Sequence, residues 1–195
     1  MRINYLFLLV TGIAIAPVHA ESSWQEYSYP DSGVAFQLPV APKVSNDKLI
    51  LQSGISVPTT VYSARQDNVA YSVIVANFAG TSVEPRAVIN ETEKTISATG
   101  TVAFSVDARV DGEIGRQLSI NAADGSRAKV AIFFTGDRLY ELIGRTLPPD
   151  AAAGSGETIR FQESLRFISQ SGAELRKGRP GVRGGPPGNA GPRRR

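Results

Sequence analysis

Cysteine is absent from the 195-residue chain, and histidine and methionine occur once each, as His19 and Met1. The missing cysteine excludes a disulfide framework, a thiolate zinc site, an iron–sulfur cluster and a cysteine nucleophile. No G-x-x-x-x-G-K-[ST] occurs, and no G-x-G-x-x-G follows a strand pattern, so nucleotide binding by those two routes is excluded as well. Aromatic residues make up 8% of the chain, with a single tryptophan, Trp24. A run long enough to cross a bilayer is also lacking. The longest apolar stretch, residues 5–16 (YLFLLVTGIAIA), falls short of the roughly 20 residues that a spanning helix needs.

That short apolar run has a different meaning. Arg2 supplies a positive start, Pro17 breaks the run, and Val18 and Ala20 place small side chains three and one residues before Glu21. This is the layout of a secretory signal peptide over residues 1–20, cleaved after Ala20. No cysteine follows the cleavage point, so lipid attachment there is excluded. Cleavage removes Met1 and His19 together. The mature chain then lacks Cys, His and Met, which takes away the common transition-metal ligands, haem ligation and most nucleophile–base pairs. The expected location is periplasmic or secreted, with no transmembrane segment in the mature chain and no cofactor.

Charge is distributed unevenly. The whole chain is +3 with 21 Lys+Arg against 18 Asp+Glu, but residues 21–170 hold 13 basic and 17 acidic residues, a net of −4. The excess sits in residues 171–195, SGAELRKGRPGVRGGPPGNAGPRRR, where Arg176, Lys177, Arg179, Arg183, Arg193, Arg194 and Arg195 face only Glu174. Seven glycines and four prolines, with only Leu175 and Val182 as sizeable apolar residues, leave too little surface to bury against chain entropy, so a disordered tail is expected. Its interrupted glycine triplets cannot hold a collagen helix. It has no aromatic residue to stack on a base, so no nucleic acid is expected as partner. Two readings remain for it: a solvated linker, or a polyanion-binding segment that adheres to an anionic surface.

Residues 21–170 read as one domain. Residues 24–29 end at the turn cluster Pro30-Asp31-Ser32-Gly33, after which Val34, Phe36 and Leu38 alternate as in a strand. Residues 49–52 and 57–64 suggest two more strands around Ser53-Gly54, with Pro58 at a strand start or edge. Residues 69–78 are apolar on both faces and belong centrally in a sheet. Glu84-Pro85 opens a helix whose stripe is Val88, Ile89, Thr92 and Ile96 and which Gly100 ends. Residues 101–110, 113–121, 126–135 and 138–145 are four strand-like runs, separated by Asp111-Gly112, Ala122-Ala123-Asp124-Gly125 and Gly136-Asp137. Asp-Gly supplies the positive φ of tight hairpins, so these runs form an antiparallel meander. A second helix is expected late within residues 151–165, and Phe167-Ile168 should pack or pair back onto the sheet. The fold class is α+β: an antiparallel sheet of about seven to nine strands with two helices packed on it.

Several of these residues also carry a resemblance. Trp24, Tyr27 and Tyr29-Pro30, then Gly33-Val34-Ala35-Phe36-Gln37-Leu38-Pro39 with Pro42, then Arg138-Leu139-Tyr140-Glu141-Leu142, and finally Phe161 with Ser164-Leu165-Arg166-Phe167, occur in an order similar to the PsbP-like superfamily. The DcrB-like bacterial exported proteins and the Ran-binding nuclear transport factor fold are related to it. The resemblance covers residues 24–168. It implies an α/β/α sandwich around an antiparallel sheet, and a role in assembly or binding rather than one enzyme class. It carries over no functional residue, because the matching positions read as core and turn.

Chemistry-bearing clusters are few. Asp107, Asp111 and Glu113 could hold a cation such as calcium at a hairpin, although turn chemistry alone accounts for Asp111-Gly112. Arg116 alternates with Ile114, Leu118 and Ile120, which suits an inward anion site or a salt-bridged arginine. Ser155 and Ser164 have no base nearby in sequence. Asn90-Glu91-Thr92 is a glycosylation sequon that falls within the expected helix of a bacterial-looking chain. Two function classes follow: a non-enzymatic exported domain that binds an envelope protein, polymer or ligand, or a carboxylate- or serine-dependent hydrolase. A deep pocket of perturbed carboxylates would favour the second, a shallow apolar groove the first.

Overall fold

A computed structural model describes residues 24–149, 151 and 155–168. The expected leader (1–20) and basic tail (171–195) lie outside the described residues. No helix among the described residues is long and apolar enough to cross a membrane.

The chain runs β1 (Gln25–Tyr29), a 3-10 turn (Pro30–Ser32), β2 (Val34–Leu38), β3 (Lys43–Ile50), β4 (Ser56–Gln66), β5 (Val69–Asn77), α1 (Pro85–Ser97), β6 (Gly100–Val110), β7 (Glu113–Ala122), β8 (Arg127–Thr135), β9 (Arg138–Thr146), α2 (Ser155–Glu163) and β10 (Arg166–Phe167). Seven strands form one antiparallel sheet in the order β3-β4-β5-β9-β8-β7-β6, and β1, β2 and β10 form a separate three-stranded sheet. The expected α+β architecture is therefore present, with the strands divided between two sheets.

The alternation of side chains along each strand divides the core in two. On one face of the large sheet, Val73, Val75, Phe133, Tyr140 and Leu142 pack against Phe36 and Leu38 of the small sheet and Phe161 and Leu165 at α2. On the other face, Leu118, Ile120, Val130, Ile132 and Leu139 meet Val88 of α1. Helix, sheet, and then helix with the small sheet make the α/β/α sandwich that the resemblance implies.

Most local expectations have clear physical counterparts. The meander is closed by Asp111 (φ 50°) and Gly112 (φ 86°), both left-handed as a two-residue hairpin turn requires. Pro85 occupies the first turn of α1, and Val88 and Thr92 are its buried residues. Pro58 pairs with Lys48 of β3, while pairing with β5 starts at Thr59, so its missing N–H falls where β4 has a single neighbour. Two boundaries differ. The first hairpin strand begins at Lys43 rather than 49, because KVSNDK lies on an exposed sheet edge and shows no apolar alternation. Helix α1 ends at Ser97, and Gly100 opens β6 instead of capping the helix. Phe167 pairs with Val34 of the small sheet and packs its ring against Phe133 and Tyr140 of the large one, as expected.

Candidate functional site

The residues of the resemblance converge in space, at a joint between the two sheets. Tyr140 of β9 donates its hydroxyl to the Ser32 carbonyl at 3.1 Å, and the hydroxyls of Ser32 and Tyr62 lie 2.7 Å apart. The Tyr29 and Tyr62 rings pack at a tilt of 35° with centroids 4.1 Å apart. Gly33 (φ +69°) lies so close beneath Arg138 and Tyr140 that a Cβ would stand 2.9 Å from the Arg138 Nη1 and from the Tyr140 hydroxyl. Burial raises the pKa values of Tyr29, Tyr62 and Tyr140, so these phenols stay protonated; Tyr62 and Tyr140 hold the joint through their hydroxyls and Tyr29 through its ring. The motif positions are structural, as their reading as core and turn residues anticipates.

The acidic cluster does not assemble. Asp107 binds Arg116 at 2.9 Å, and Arg116 binds Glu93 of α1 at 2.9 Å. The Asp111 carboxylate instead accepts the main-chain N–H of Phe167 at 3.0 Å, which pins the β6–β7 turn to β10. Among the described residues no group of three His, Cys, Asp or Glu is placed to hold a metal ion. Arg116 is thus the salt-bridged arginine of the two alternatives. Ser164 is committed too: its Oγ donates to the Phe161 carbonyl at 2.7 Å and accepts the Gln37 N–H at 2.9 Å. It closes α2 onto β2. Ser155 opens α2. Asn90 lies within α1, as expected for the sequon. Arg176, Lys177, Arg179, Arg183, Arg193, Arg194 and Arg195 lie outside the described residues.

Three open depressions lie close to these elements. One of about 180 Å³ borders the tyrosine joint, between Asp31, Asp47 and Arg138. A second, about 370 Å³, lies beside α2, where the Lys129 ammonium sits 4.6 Å from the centre of the Phe104 ring. The third, about 360 Å³, separates the first turn of α1 from the β6–β7 hairpin. Its walls alternate in character: the N-cap Glu84 with Arg86 and Asn90 of α1, Ile114 and Arg116 from β7, and Phe134 below. The Glu84 carboxylate caps the helix by accepting the N–H groups of Arg86 at 2.9 Å and Ala87 at 2.5 Å. Ile114 is 58% exposed at its rim, an apolar side chain left in water beside fixed charges.

Sequence reasoning misses one titratable residue. Glu141 of β9 is 7% exposed, among the apolar residues on the α1 side of the sheet, and desolvation pushes its pKa up to about 7. A signal for it exists: one carboxylate in a strand that otherwise reads Leu-Tyr-x-Leu-Ile. Glu141 lines none of the three depressions, so the deep pocket of perturbed carboxylates that would favour a hydrolase is not what these clefts present.

No family model matches the chain, and no curated protein matches it in sequence. Its fold is similar to that of cyanobacterial PsbP (CyanoP) from Synechocystis sp. PCC 6803, with 13% identity, a TM-score of 0.51, and coverage of 78% of this chain and 97% of that one. A Pseudomonas aeruginosa protein of unknown function, PA94, aligns over 70% of this chain and 94% of its own at 11% identity and a TM-score of 0.38. The fold is PsbP-like.

Proposed function

We propose that this chain is an exported, non-enzymatic binding or accessory domain of the cell envelope, and that its working surface is the cleft between the first turn of α1 and the β6–β7 hairpin. The carrying observation is that cleft: about 360 Å³, open to solvent, with apolar Ile114 and Phe134 set among Glu84, Arg86 and Arg116. Mixed apolar and paired polar groups around an open groove suit recognition of a protein segment, with an apolar anchor held by flanking hydrogen bonds. Of the serines and carboxylates singled out in the sequence, Ser164 is held in a structural bridge and Asp111 in a hydrogen bond to the Phe167 main chain. The PsbP-like fold is compatible with an accessory role, and the signal-peptide layout of residues 1–20 in the sequence supports export. The basic segment 171–195 we assign a separate part, adhesion to anionic envelope polymers or head groups.

The test is capture of partners from an envelope extract with the mature protein and with the surface variants Ile114→Lys and Arg86→Glu. The wild type should retain a discrete partner that both variants lose while keeping the native circular dichroism. Equal capture by all three proteins would remove the cleft from the account.

A further inference from the structure

The two edges of the large sheet are built differently. β3 carries Lys43, Asp47 and Lys48 in eight residues, the charged pattern that keeps foreign strands away. β6 is longer, eleven residues, with no lysine or proline, and its only charges are Asp107 and Arg109. Val102, Phe104 and Val106 along it are 38–47% exposed. After the irregularity between Val102 and Phe104, pairing with β7 is continuous from Phe104 to Val110.

The hairpin fixes which main-chain groups of this edge are free. A two-residue turn at Asp111 and Gly112 closes on a hydrogen-bonded pair, Val110 with Glu113. Hydrogen-bonded and non-hydrogen-bonded pairs then alternate down the ladder. The N–H and C=O groups of Arg109, Asp107 and Ser105 therefore point away from β7, into solvent.

We infer that β6 pairs antiparallel with β6 of a second copy of this chain about a two-fold axis at Ala108, making a dimer with one continuous sheet. The argument is charge complementarity. In this register Asp107 stands opposite Arg109 of the partner subunit, and Arg109 opposite Asp107 of the partner subunit. Opposite charges placed directly across a strand pair stabilise it, and like charges oppose it. A two-fold at Asp107 would set two carboxylates face to face; a two-fold at Val106 would leave both arginines opposite alanine. Only the axis at Ala108 forms both ion pairs. The two side chains are available for it. The Asp107 side chain is 71% exposed despite its bond to Arg116, and Arg109, exposed on the same strand, has no ion pair within the chain among the described residues. On the opposite face the same register brings Val106 against Val110 of the partner subunit. An isologous contact of this kind closes on itself, so β6 is sealed rather than left to propagate.

Analytical ultracentrifugation of the purified protein between about 1 and 100 µM, values chosen to span a typical micromolar dimer, tests this directly. The wild type should sediment at twice the mass of one chain. Arg109→Glu and Asp107→Lys should each be monomeric, with a dissociation constant raised at least tenfold. An equimolar mixture of the two variants should dimerise again, because the glutamate introduced in one chain then meets the lysine introduced in the other, while the second ion pair keeps its native partners. Arg109 is exposed and has no ion pair in its own chain among the described residues, so Arg109→Glu keeps the fold and decides alone should Asp107→Lys fail to fold. A wild type that stays monomeric at the highest concentration, a dimer insensitive to Arg109→Glu, or folded variants that stay monomeric when mixed would each overturn the inference.

Discussion

Tyr140 in β9 hydrogen-bonds the carbonyl of Ser32 across 108 residues of sequence, tying the large sheet to the turn that precedes β2. The bond is made at a place where the backbone of Gly33 must come within van der Waals reach of the phenol. Tyr140→Phe should cost about 1 kcal/mol, the usual effect of deleting a part-buried hydrogen bond. Gly33→Ala should cost at least as much, since it adds both a clash and a left-handed alanine. Chemical denaturation of the two variants and the wild type checks both values. No change in either variant would show that the joint carries no stability.

Glu141 makes stability depend on pH in an unusual direction. Its folded pKa is raised from 4.5 to about 7, so the folded state holds a proton that the unfolded chain releases. The stabilisation is complete below pH 4.5 and is lost as pH rises towards 7, by about 3 kcal/mol for a shift of this size. The wild type should therefore unfold more readily at pH 8 than at pH 5, and Glu141→Gln should abolish most of that slope. Urea midpoints at the two pH values measure it. A wild-type curve rising from pH 5 to 8, with no difference in Glu141→Gln, would contradict the assignment.

Gly115 permits the closest approach in the sheet. A Cβ there would lie 2.2 Å from the Ile132 carbonyl oxygen and 2.3 Å from the Phe133 ring. Neither neighbour can yield, because Phe133 and Ile132 are fully buried. Gly115→Ala should destabilise the domain by roughly 3 kcal/mol, the scale of an overpacked core. A thermal midpoint within a degree of wild type would refute this.

The basic segment is predicted from charge alone. Deleting residues 171–195, whose glycine- and proline-rich composition offers little apolar surface to bury, should leave the thermal midpoint unchanged. The deletion should abolish salt-sensitive binding to anionic vesicles, to which each basic residue near the surface adds about 1 kcal/mol. Equal vesicle binding with and without the segment would remove the adhesion role.

The fold was legible wherever the sequence kept local periodicity. Asp111-Gly112 and Gly136-Asp137 announce hairpins by their own backbone requirements, and the Val88–Thr92 stripe marks α1. Where neighbours far along the chain decide, the sequence is silent. The first half of β3 is polar because it is an exposed edge, and the partition of β1, β2 and β10 into a second sheet rests on contacts such as Phe167 with Val34. The partner of Arg116 was open between an anion and an acidic side chain until Glu93, one turn of α1 past Ile89, was brought over β7. The cleft was illegible for the same reason: Arg86 and Ile114 lie 28 positions apart, and only the packing of α1 against β7 and β8 sets them on facing walls.

The central claim is that partners bind at the α1/β6–β7 end of the domain. A photo-cross-linking side chain placed at Asn90, on the cleft wall, and at Lys48, on the β3 edge, tests it in intact cells. The account predicts that the residue-90 probe captures a discrete envelope protein and the residue-48 probe does not. Capture at residue 48 with none at residue 90 would contradict it.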